Sequence, residues 1–263
     1  MLPFIRENVS IAPYTIYKIG GPARYFAEPR DAVELEKAFR FAAARRIPFF
    51  ILGAGSNVLV ADDGFDGMAI RMASGDIRIA GDRVAADGGV MMARLAAASA
   101  KAGLSGFAWG IGVPGTVGGA VRGNAGCFGV EMRDVVESVD VFDAARSSHF
   151  SLRAADCEFS YRDSIFKRNP SWVVLAAAMR FRAGEPSVIR EEIRAFTRKR
   201  SVTQDIGAKC AGCIFKNVSW VRNNMDRERV LAAHPELGEF RGRPDIPAAY
   251  LIDRAGGKGK RSG

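Results

Sequence analysis

Two cysteines in a C-x-x-C spacing are the first residues of this sequence that could do chemistry. The segment GAKCAGCIFKN runs from Gly207 to Asn217 and contains Cys210 and Cys213. Such a pair can cycle between dithiol and disulfide, or supply half of a zinc site. It can also contain one working thiol beside a cysteine without a role. The rest of the sequence has to decide among these three chemistries.

The other cysteines and the histidines argue against a zinc site. Such a site needs a second pair of ligands, whereas Cys127 and Cys157 are single and neither His149 nor His234 has ligand spacing to a cysteine. A thioredoxin-like pair opens a helix after a strand, but CIFKN has the composition of a strand. We therefore expect no metal and one working cysteine, with dithiol cycling as the alternative.

Two glycine-rich segments predict a site for an anion. They are LGAGSNVL, residues 52–59, and GVPGTVGGAVRGNAGCFG, residues 112–129. Glycines let backbone N–H groups approach a ligand closely and converge on a negative charge. GIGVPG, residues 110–115, formally matches G-x-G-x-x-G, but no clear strand precedes it, no helical pattern follows and a proline interrupts it. A Rossmann dinucleotide fold is therefore not expected. Flexible turns without a ligand are the alternative.

Composition limits the classes of protein that have to be considered. With 48% hydrophobic and 25% charged residues, the chain predicts a globular protein with a sizeable core. It has neither the long apolar run of a membrane span nor the pattern of a signal peptide, so we expect a cytoplasmic protein. The net charge of +9 comes without a basic, aromatic-rich stripe, which argues against nucleic acid as the partner. A generally basic surface without a dedicated partner accounts for this charge, and a site for an anionic small molecule such as a diphosphate is the alternative that the glycine-rich segments favour.

The elements that must position these loops mix helices and strands without regular alternation, which favours an α+β fold. A capping pattern at Asp31 predicts a helix to residue 46, followed by a strand that ends at the first glycine loop. Composition changes near residues 182–187, where a basic amphipathic helix begins. The sequence therefore predicts a domain over residues 1–183 and a smaller α+β domain over residues 184–263.

Five ordered motifs resemble those of the UDP-N-acetylenolpyruvoylglucosamine reductase family. They are YKIGGPARYF, LGAGSNVLV, GVPGTVGGAVRGNAGCFG, YRDSIFK and AGCIFKN. The resemblance implies an FAD-binding domain of the vanillyl-alcohol-oxidase (PCMH) type, then a substrate domain. It further implies NADPH as reductant and synthesis of UDP-N-acetylmuramate for peptidoglycan. Since both histidines lie outside the motifs, we expect the FAD to be non-covalent. We also expect the protein to be a monomer.

By this resemblance the two glycine loops bind FAD. The implied cofactor-binding residues are Gly53, Ala54, Gly55, Ser56 and Asn57 in the first loop and Pro114, Gly115, Thr116, Gly118, Gly119, Asn124, Ala125 and Gly126 in the second.

The resemblance also implies the catalytic residues. Arg162 would stabilise negative charge that develops beside the substrate carboxylate, since a guanidinium stays charged and offers a planar fork; pairing with Asp163 is the structural alternative. Cys213 stands where most relatives have Ser and would donate a proton to carbon. The implied substrate-binding residues are Tyr161, Arg162, Lys216 and Asn217.

The sequence departs from the family pattern in two ways. Val218 and Asp205 stand where relatives usually carry proline, which alters local stiffness more than chemistry. Relatives also continue past the region of AGGKGKRSG and carry a third catalytic residue, a glutamate, whereas this sequence stops at Gly263. We therefore expect a C-terminally truncated member. A remnant that binds FAD with little or no turnover is the alternative to a working reductase.

Overall fold

The computed structural model describes residues 2–203, 209, 210, 212, 214–221 and 225–260. Seven α-helices lie in this part of the chain. They are α1 (Ala32–Arg45), α2 (Met92–Lys101), α3 (Val117–Arg122), α4 (Ile165–Arg168), α5 (Pro186–Thr203), α6 (Arg227–Ala233) and α7 (Ala248–Arg254).

The same residues form fifteen strands, most of them short. They are β1 (Ile5–Ser10), β2 (Pro22–Ala27), β3 (Phe49–Leu52), β4 (Phe65–Arg71), β5 (Ile77–Ala80), β6 (Arg83–Asp87), β7 (Leu104–Ser105), β8 (Gly126–Cys127), β9 (Val130–Glu131), β10 (Val136–Asp143), β11 (Ser148–Arg153), β12 (Trp172–Arg180), β13 (Arg182–Ala183), β14 (Val218–Ser219) and β15 (Asp245–Ile246). Helices and strands alternate irregularly, as an α+β fold requires.

The chain divides into two compact units, Met1–Cys210 and Ala211–Gly263. Two sheets organise the first unit. One has four strands in the order β1-β2-β4-β3, with β2, β4 and β3 mutually parallel and β1 antiparallel to β2. The other is antiparallel, in the order β11-β10-β12-β6-β5. Strand β3 pairs parallel with β4 and ends at the buried Leu52, and the first glycine loop follows directly.

Helix α1 covers the four-stranded sheet and begins as predicted. The Asp31 carboxylate accepts a hydrogen bond of 2.7 Å from the backbone N–H of Glu34, so one of the unpaired donors of the first turn is satisfied. The buried face of the helix packs Leu35 and Phe39 against the sheet, and Phe39 also stacks on Phe142 of β10 at 5.4 Å between ring centroids. This contact joins the cores of the two sheets.

The larger core lies between the five-stranded sheet and helices α2 and α3. Leu95 of α2, Val121 of α3 and Val139 of β10 are fully buried in it. Because α3 lies within the second glycine-rich segment, residues 112–129, burial of its apolar face fixes that segment against the sheet.

Helix α5 belongs to the first compact unit, which differs from the predicted boundary after residue 183. Ile189 is 1% exposed, and the ring of Phe196 contacts that of Phe128 at 5.4 Å between centroids, tilted by 32°. The boundary between the compact units comes after this helix instead, because its narrow apolar face packs on the first core while most of its basic residues are exposed. The assignment of FAD binding to the first domain and of substrate binding to the second stays a prediction.

The second compact unit has a small core of its own. Strands β14 and β15 pair antiparallel, and Trp220, Leu237, Phe240 and Ile246 pack together beside them. The indole N–H of Trp220 donates to the carbonyl oxygen of Phe240 at 3.1 Å, so the buried ring keeps its hydrogen bond. Along the described residues, no helix combines the length and apolar composition needed to cross a membrane.

Candidate active site

The first glycine loop, residues 53–57, depends on two glycines for its shape. Gly55 has φ of 63°, and a Cβ there would overlap the carbonyl oxygen of Tyr14. A Cβ on Gly53 would lie 2.7 Å from the hydroxyl oxygen of Thr116, in the second glycine loop. Side chains at these positions are therefore excluded by close approach of other segments, and the loop is held tightly against them.

This first loop presents a row of unused donors. In the described part of the chain, the backbone N–H groups of residues 54–57 have no protein acceptor, although the loop is largely half-buried. Buried N–H groups without a partner are rare in folded proteins and cost free energy. A run of them on a glycine-rich turn is the geometry that binds phosphate oxygens. The residues present therefore fit the pyrophosphate of a dinucleotide cofactor.

The second glycine loop meets the first through a serine. The Ser56 hydroxyl donates a hydrogen bond of 2.9 Å to the carbonyl oxygen of Pro114. Gly115 has φ of 142°, and a Cβ there would lie 3.3 Å from the same hydroxyl oxygen. The structure thus brings together the two segments that the sequence predicted to share one ligand.

The backbone N–H groups at the start of α3 have hydrogen-bond acceptors within the protein, unlike those of the first loop. Val117 and Gly118 donate their N–H groups to the carbonyl oxygens of Val90 and Gly88, at 2.8 and 2.9 Å. The Thr116 hydroxyl caps the helix and accepts from the N–H of Gly119 at 3.4 Å. This segment therefore offers a smooth glycine surface for close approach, and the first loop offers most of the free donors.

Arg162 lies on a tight turn beside the end of the second loop. Ser160 and Asp163 exchange two backbone hydrogen bonds of 3.1 and 3.0 Å, which leaves Tyr161 and Arg162 at the tip. Arg162 has φ of 56°, and its guanidinium donates to the carbonyl oxygen of Gly126 at 2.9 Å. The candidate catalytic side chain and the second glycine loop are therefore in direct contact.

Asp163 does not neutralise Arg162. Its carboxylate pairs with Arg168 at 2.9 Å, and Arg168 also pairs with Glu158 at 2.5 Å. Among the described residues Arg162 forms no ion pair, so its charge is available to an anionic ligand. The structural alternative considered for Arg162, an ion pair with its neighbour, is not what the chain forms.

Comparison with known proteins places this geometry in a family. Residues 23–150 match the family model described as an FAD binding domain. A UDP-N-acetylenolpyruvoylglucosamine reductase from Carboxydothermus hydrogenoformans is 36% identical over 261 residues, covering 98% of this chain and 78% of that protein. The chain belongs to the UDP-N-acetylenolpyruvoylglucosamine reductase family.

Solved structures agree with this membership in the reductase family. The crystal structure of the reductase from Thermus caldophilus matches with a TM-score of 0.75 and 30% identity, covering 99% of this chain and 84% of that one. An alkyldihydroxyacetonephosphate synthase matches with a TM-score of 0.50 and 17% identity, covering 70% and 38%, which shows a shared fold alone. The predicted α+β fold with an FAD-binding domain of the vanillyl-alcohol-oxidase type is confirmed.

The motif AGCIFKN contains three residues that the resemblance assigns to the reductase chemistry. Cys213 falls outside the described residues. Lys216 is exposed, and Asn217 is engaged within the second unit: its amide donates to the Asp245 carboxylate at 3.1 Å and its oxygen accepts from the N–H of Ala248 at 3.2 Å. Their contacts with substrate stay predictions.

The remaining cysteines of this family member differ in exposure. Cys210 is exposed, whereas Cys157 is fully buried, and burial followed by the nearby Asp156 charge raises the pKa of its thiol to about 11. Burial also raises the pKa of Cys127, against the opposing effect of Arg200 and Arg162. No group of three or more His, Cys, Asp or Glu side chains in the described ranges is arranged to hold a metal ion.

Two residues that touch the site were missed by sequence reasoning. Ser164 stands inside the recognised motif YRDSIFK but received no role, although its position there was a usable signal. Glu131 lies between motifs, and nothing in the sequence marks it. The Ser164 hydroxyl donates to the carbonyl oxygen of Arg122, and the Glu131 carboxylate accepts from the amide of Asn124 in the second glycine loop.

Proposed function

We propose that this chain reduces the enolpyruvyl group of UDP-N-acetylglucosamine enolpyruvate to give UDP-N-acetylmuramate, with NADPH as reductant, in cytoplasmic peptidoglycan precursor synthesis. The observation that carries the proposal is the position of Arg162. Its guanidinium lies against Gly126 of the second glycine loop and forms no ion pair among the described residues. Family membership supplies the reaction class, and the free cation supplies the reason for a carboxylate substrate.

FAD is the proposed cofactor, held without a covalent bond by the two glycine loops. The N–H groups of residues 54–57 would hold its pyrophosphate, and Gly119 would allow close approach, since it is exposed and a Cβ there meets no described atom nearer than 3.6 Å. When bound, FAD would carry a hydride from NADPH to the vinyl group.

Arg162 would act on the charge that this reduction creates. The vinyl carbon distant from the carboxylate receives the hydride, the carbon–carbon double bond becomes single, and negative charge develops on the neighbouring carbon and its carboxylate. A fixed guanidinium next to that carboxylate stabilises the charge most strongly in the transition state. Tyr161, which lies at the tip of the same turn with its ring 5.7 Å from the guanidinium carbon of Arg162, would line the substrate site.

The neighbouring carbon must then receive a proton, and Cys213 is the proposed donor. A thiol with an ordinary pKa of roughly 8.5 is mostly protonated at neutral pH and is a stronger acid than the serine hydroxyl of most relatives. Lys216 and Asn217, in the second compact unit, are the other proposed substrate contacts. The protein is proposed to act as a monomer.

Turnover and flavin content test this function together. The purified protein should be yellow, release its flavin on acid precipitation, and sustain NADPH oxidation, one equivalent per substrate reduced, when the enolpyruvyl substrate is added. Mass spectrometry should show a product heavier than the substrate by two hydrogens. Bound FAD without any turnover would overturn the reductase proposal and favour a flavin-binding protein that lacks the reaction. Protein that takes up no FAD would overturn the cofactor assignment as well.

A further inference from the structure

The turn that carries Arg162 is strained and needs external support. Arg162 has a positive φ, a conformation that costs a residue with a side chain about 1–2 kcal/mol. The side chain is also long and flexible, so a fixed guanidinium position requires that its backbone be fixed first. The ties that hold this turn are therefore part of what places the charge.

Asn124 provides the first tie. It is fully buried and has φ of 40°. Its amide nitrogen donates to the backbone carbonyl oxygen of Ser160 at 2.9 Å and to the Glu131 carboxylate at 2.8 Å, while its amide oxygen accepts from the N–H of Arg133 at 3.0 Å. Every polar group of this side chain is used, and one of its bonds ends on the residue that opens the Arg162 turn.

Ser164 provides the second tie from the other side of the turn. It is fully buried, and its hydroxyl donates to the carbonyl oxygen of Arg122, the last residue of α3, at 2.7 Å. The turn from Ser160 to Asp163 is thus held at both ends by the segment that joins α3 to Gly126. The arginine and the carbonyl oxygen that receives its hydrogen bond are fixed to one short piece of chain.

We propose that Asn124 and Ser164 are positioning residues that fix the Arg162 guanidinium against the second glycine loop. The proposal assigns the Asn124 side chain to the arginine turn, whereas the family resemblance assigns that residue to the cofactor. Its consequence for catalysis rests on the proposed function of Arg162. Loss of either tie lets the turn relax and moves the cation away from the place where charge develops.

Two variants and one matched control test the ties on the full-length, FAD-loaded protein. Asn124→Gly removes the amide while accepting the positive φ without strain, and Ser164→Ala removes the hydroxyl. Ser99→Ala is the control, because Ser99 is equally buried and its hydroxyl also donates to a backbone carbonyl oxygen, that of Leu95 at 2.9 Å, inside α2. If Asn124→Gly does not fold, Ser164→Ala carries the test.

Amide hydrogen exchange measures the turn independently of activity. The N–H of Asp163 donates to Ser160, so relaxation of the turn should speed its exchange by about tenfold in both variants and leave it unchanged in Ser99→Ala. Equal exchange at Asp163 in the wild type and both variants would overturn the proposal. This outcome is readable even if the wild type fails to turn over the enolpyruvyl substrate, which would overturn the proposed function alone.

Steady-state kinetics then separate positioning from general damage. In an active wild type, kcat should fall by about 10- to 100-fold in each variant, with KM changed by less than about threefold, because the cation is needed mainly in the transition state. Ser99→Ala should keep the wild-type kcat even where it lowers thermal stability. Unchanged kcat in both variants, or a change confined to KM, would overturn the positioning role.

Discussion

The Ser56 hydroxyl donates a hydrogen bond of 2.9 Å to the carbonyl oxygen of Pro114, and so joins two glycine loops that lie 58 residues apart in sequence. On one side of the bond are the free N–H groups of residues 54–57. On the other is the glycine surface at the start of α3. A ligand that bridges the two loops therefore meets a preassembled site instead of having to order it.

Ser56→Ala should weaken FAD binding by about 5- to 10-fold. The loss corresponds to one hydrogen bond of about 1 kcal/mol that holds the two loops in register. Ser105→Ala is the matched control, because its hydroxyl also joins distant segments, donating to the carbonyl oxygen of Arg182 at 3.1 Å, away from the glycine loops. Titration of the apoprotein with FAD measures both. Equal weakening in the two variants would mean that Ser56 has no special role in the site.

Gly119→Ala should raise stability and lower FAD affinity at the same time. An added Cβ meets no described protein atom nearer than 3.6 Å, and alanine is favoured over glycine inside a helix by about 1 kcal/mol. Only a ligand that approaches this glycine would be obstructed, so we expect at least a tenfold loss of FAD affinity. Gly119→Asp, which also adds a negative charge near the pyrophosphate, should abolish binding.

Gly238→Ala is the control for this prediction. It places a methyl group where no described atom lies within 4 Å, in the second compact unit. FAD titration of this variant should show no loss of affinity, and calorimetric unfolding measures its stability alongside. A Gly119→Ala protein that is more stable and binds FAD as tightly as the wild type would show that the cofactor lies elsewhere.

The sequence singled out the glycine loops and Arg162 as candidates but did not predict their contacts. The motifs are local, whereas the bond between Ser56 and Pro114 depends on how two sheets and a helix bring distant segments together. Adjacency made Asp163 the natural partner of Arg162, but the left-handed turn separates the two side chains and gives Asp163 to Arg168. Pairing within a tight turn is set by backbone conformation, which the residue types alone do not reveal.

The domain boundary predicted after residue 183 shows a second limit of prediction from sequence. A change to basic, polar composition is typical of a new domain, and most of α5 is exposed. The apolar contacts that attach it to the first unit come from a few residues such as Ile189 and Phe196. Such a narrow stripe gives the same helical period whether the helix starts a new domain or packs on the preceding one.

Stability should fall at high pH partly through Cys157. Burial raises the pKa of this thiol from its ordinary value of 9.0 to about 11, so between these values the unfolded chain loses the proton while the folded chain keeps it. The stabilisation is complete below pH 9 and is lost as pH rises towards 11. This group should therefore lower the free energy of unfolding by about 1 kcal/mol between pH 8 and 10.

Urea unfolding with a reductant present, at pH 8 and pH 10, measures this effect in the wild type, in Cys157→Ala and in Cys210→Ala. Cys157→Ala should be less stable at pH 8 because it leaves a small cavity, but its stability should decline less with pH. Cys210 is exposed, so its variant should follow the wild type. Parallel pH dependence in all three proteins would contradict the assignment to Cys157.

Arg162→Lys should lower kcat by about 100- to 1,000-fold, the range seen when one donor to a developing negative charge is removed. Lysine keeps the positive charge but loses the planar fork that can contact Gly126 and a substrate carboxylate together. FAD affinity should change by less than about threefold, since the guanidinium contacts Gly126 of the second glycine loop, whereas the free N–H donors belong to the first. Arg153→Lys is the control, because Arg153 forms an exposed ion pair with Asp156 at 2.8 Å. A raised KM with wild-type kcat in Arg162→Lys would show that this arginine binds substrate without acting on the transition state.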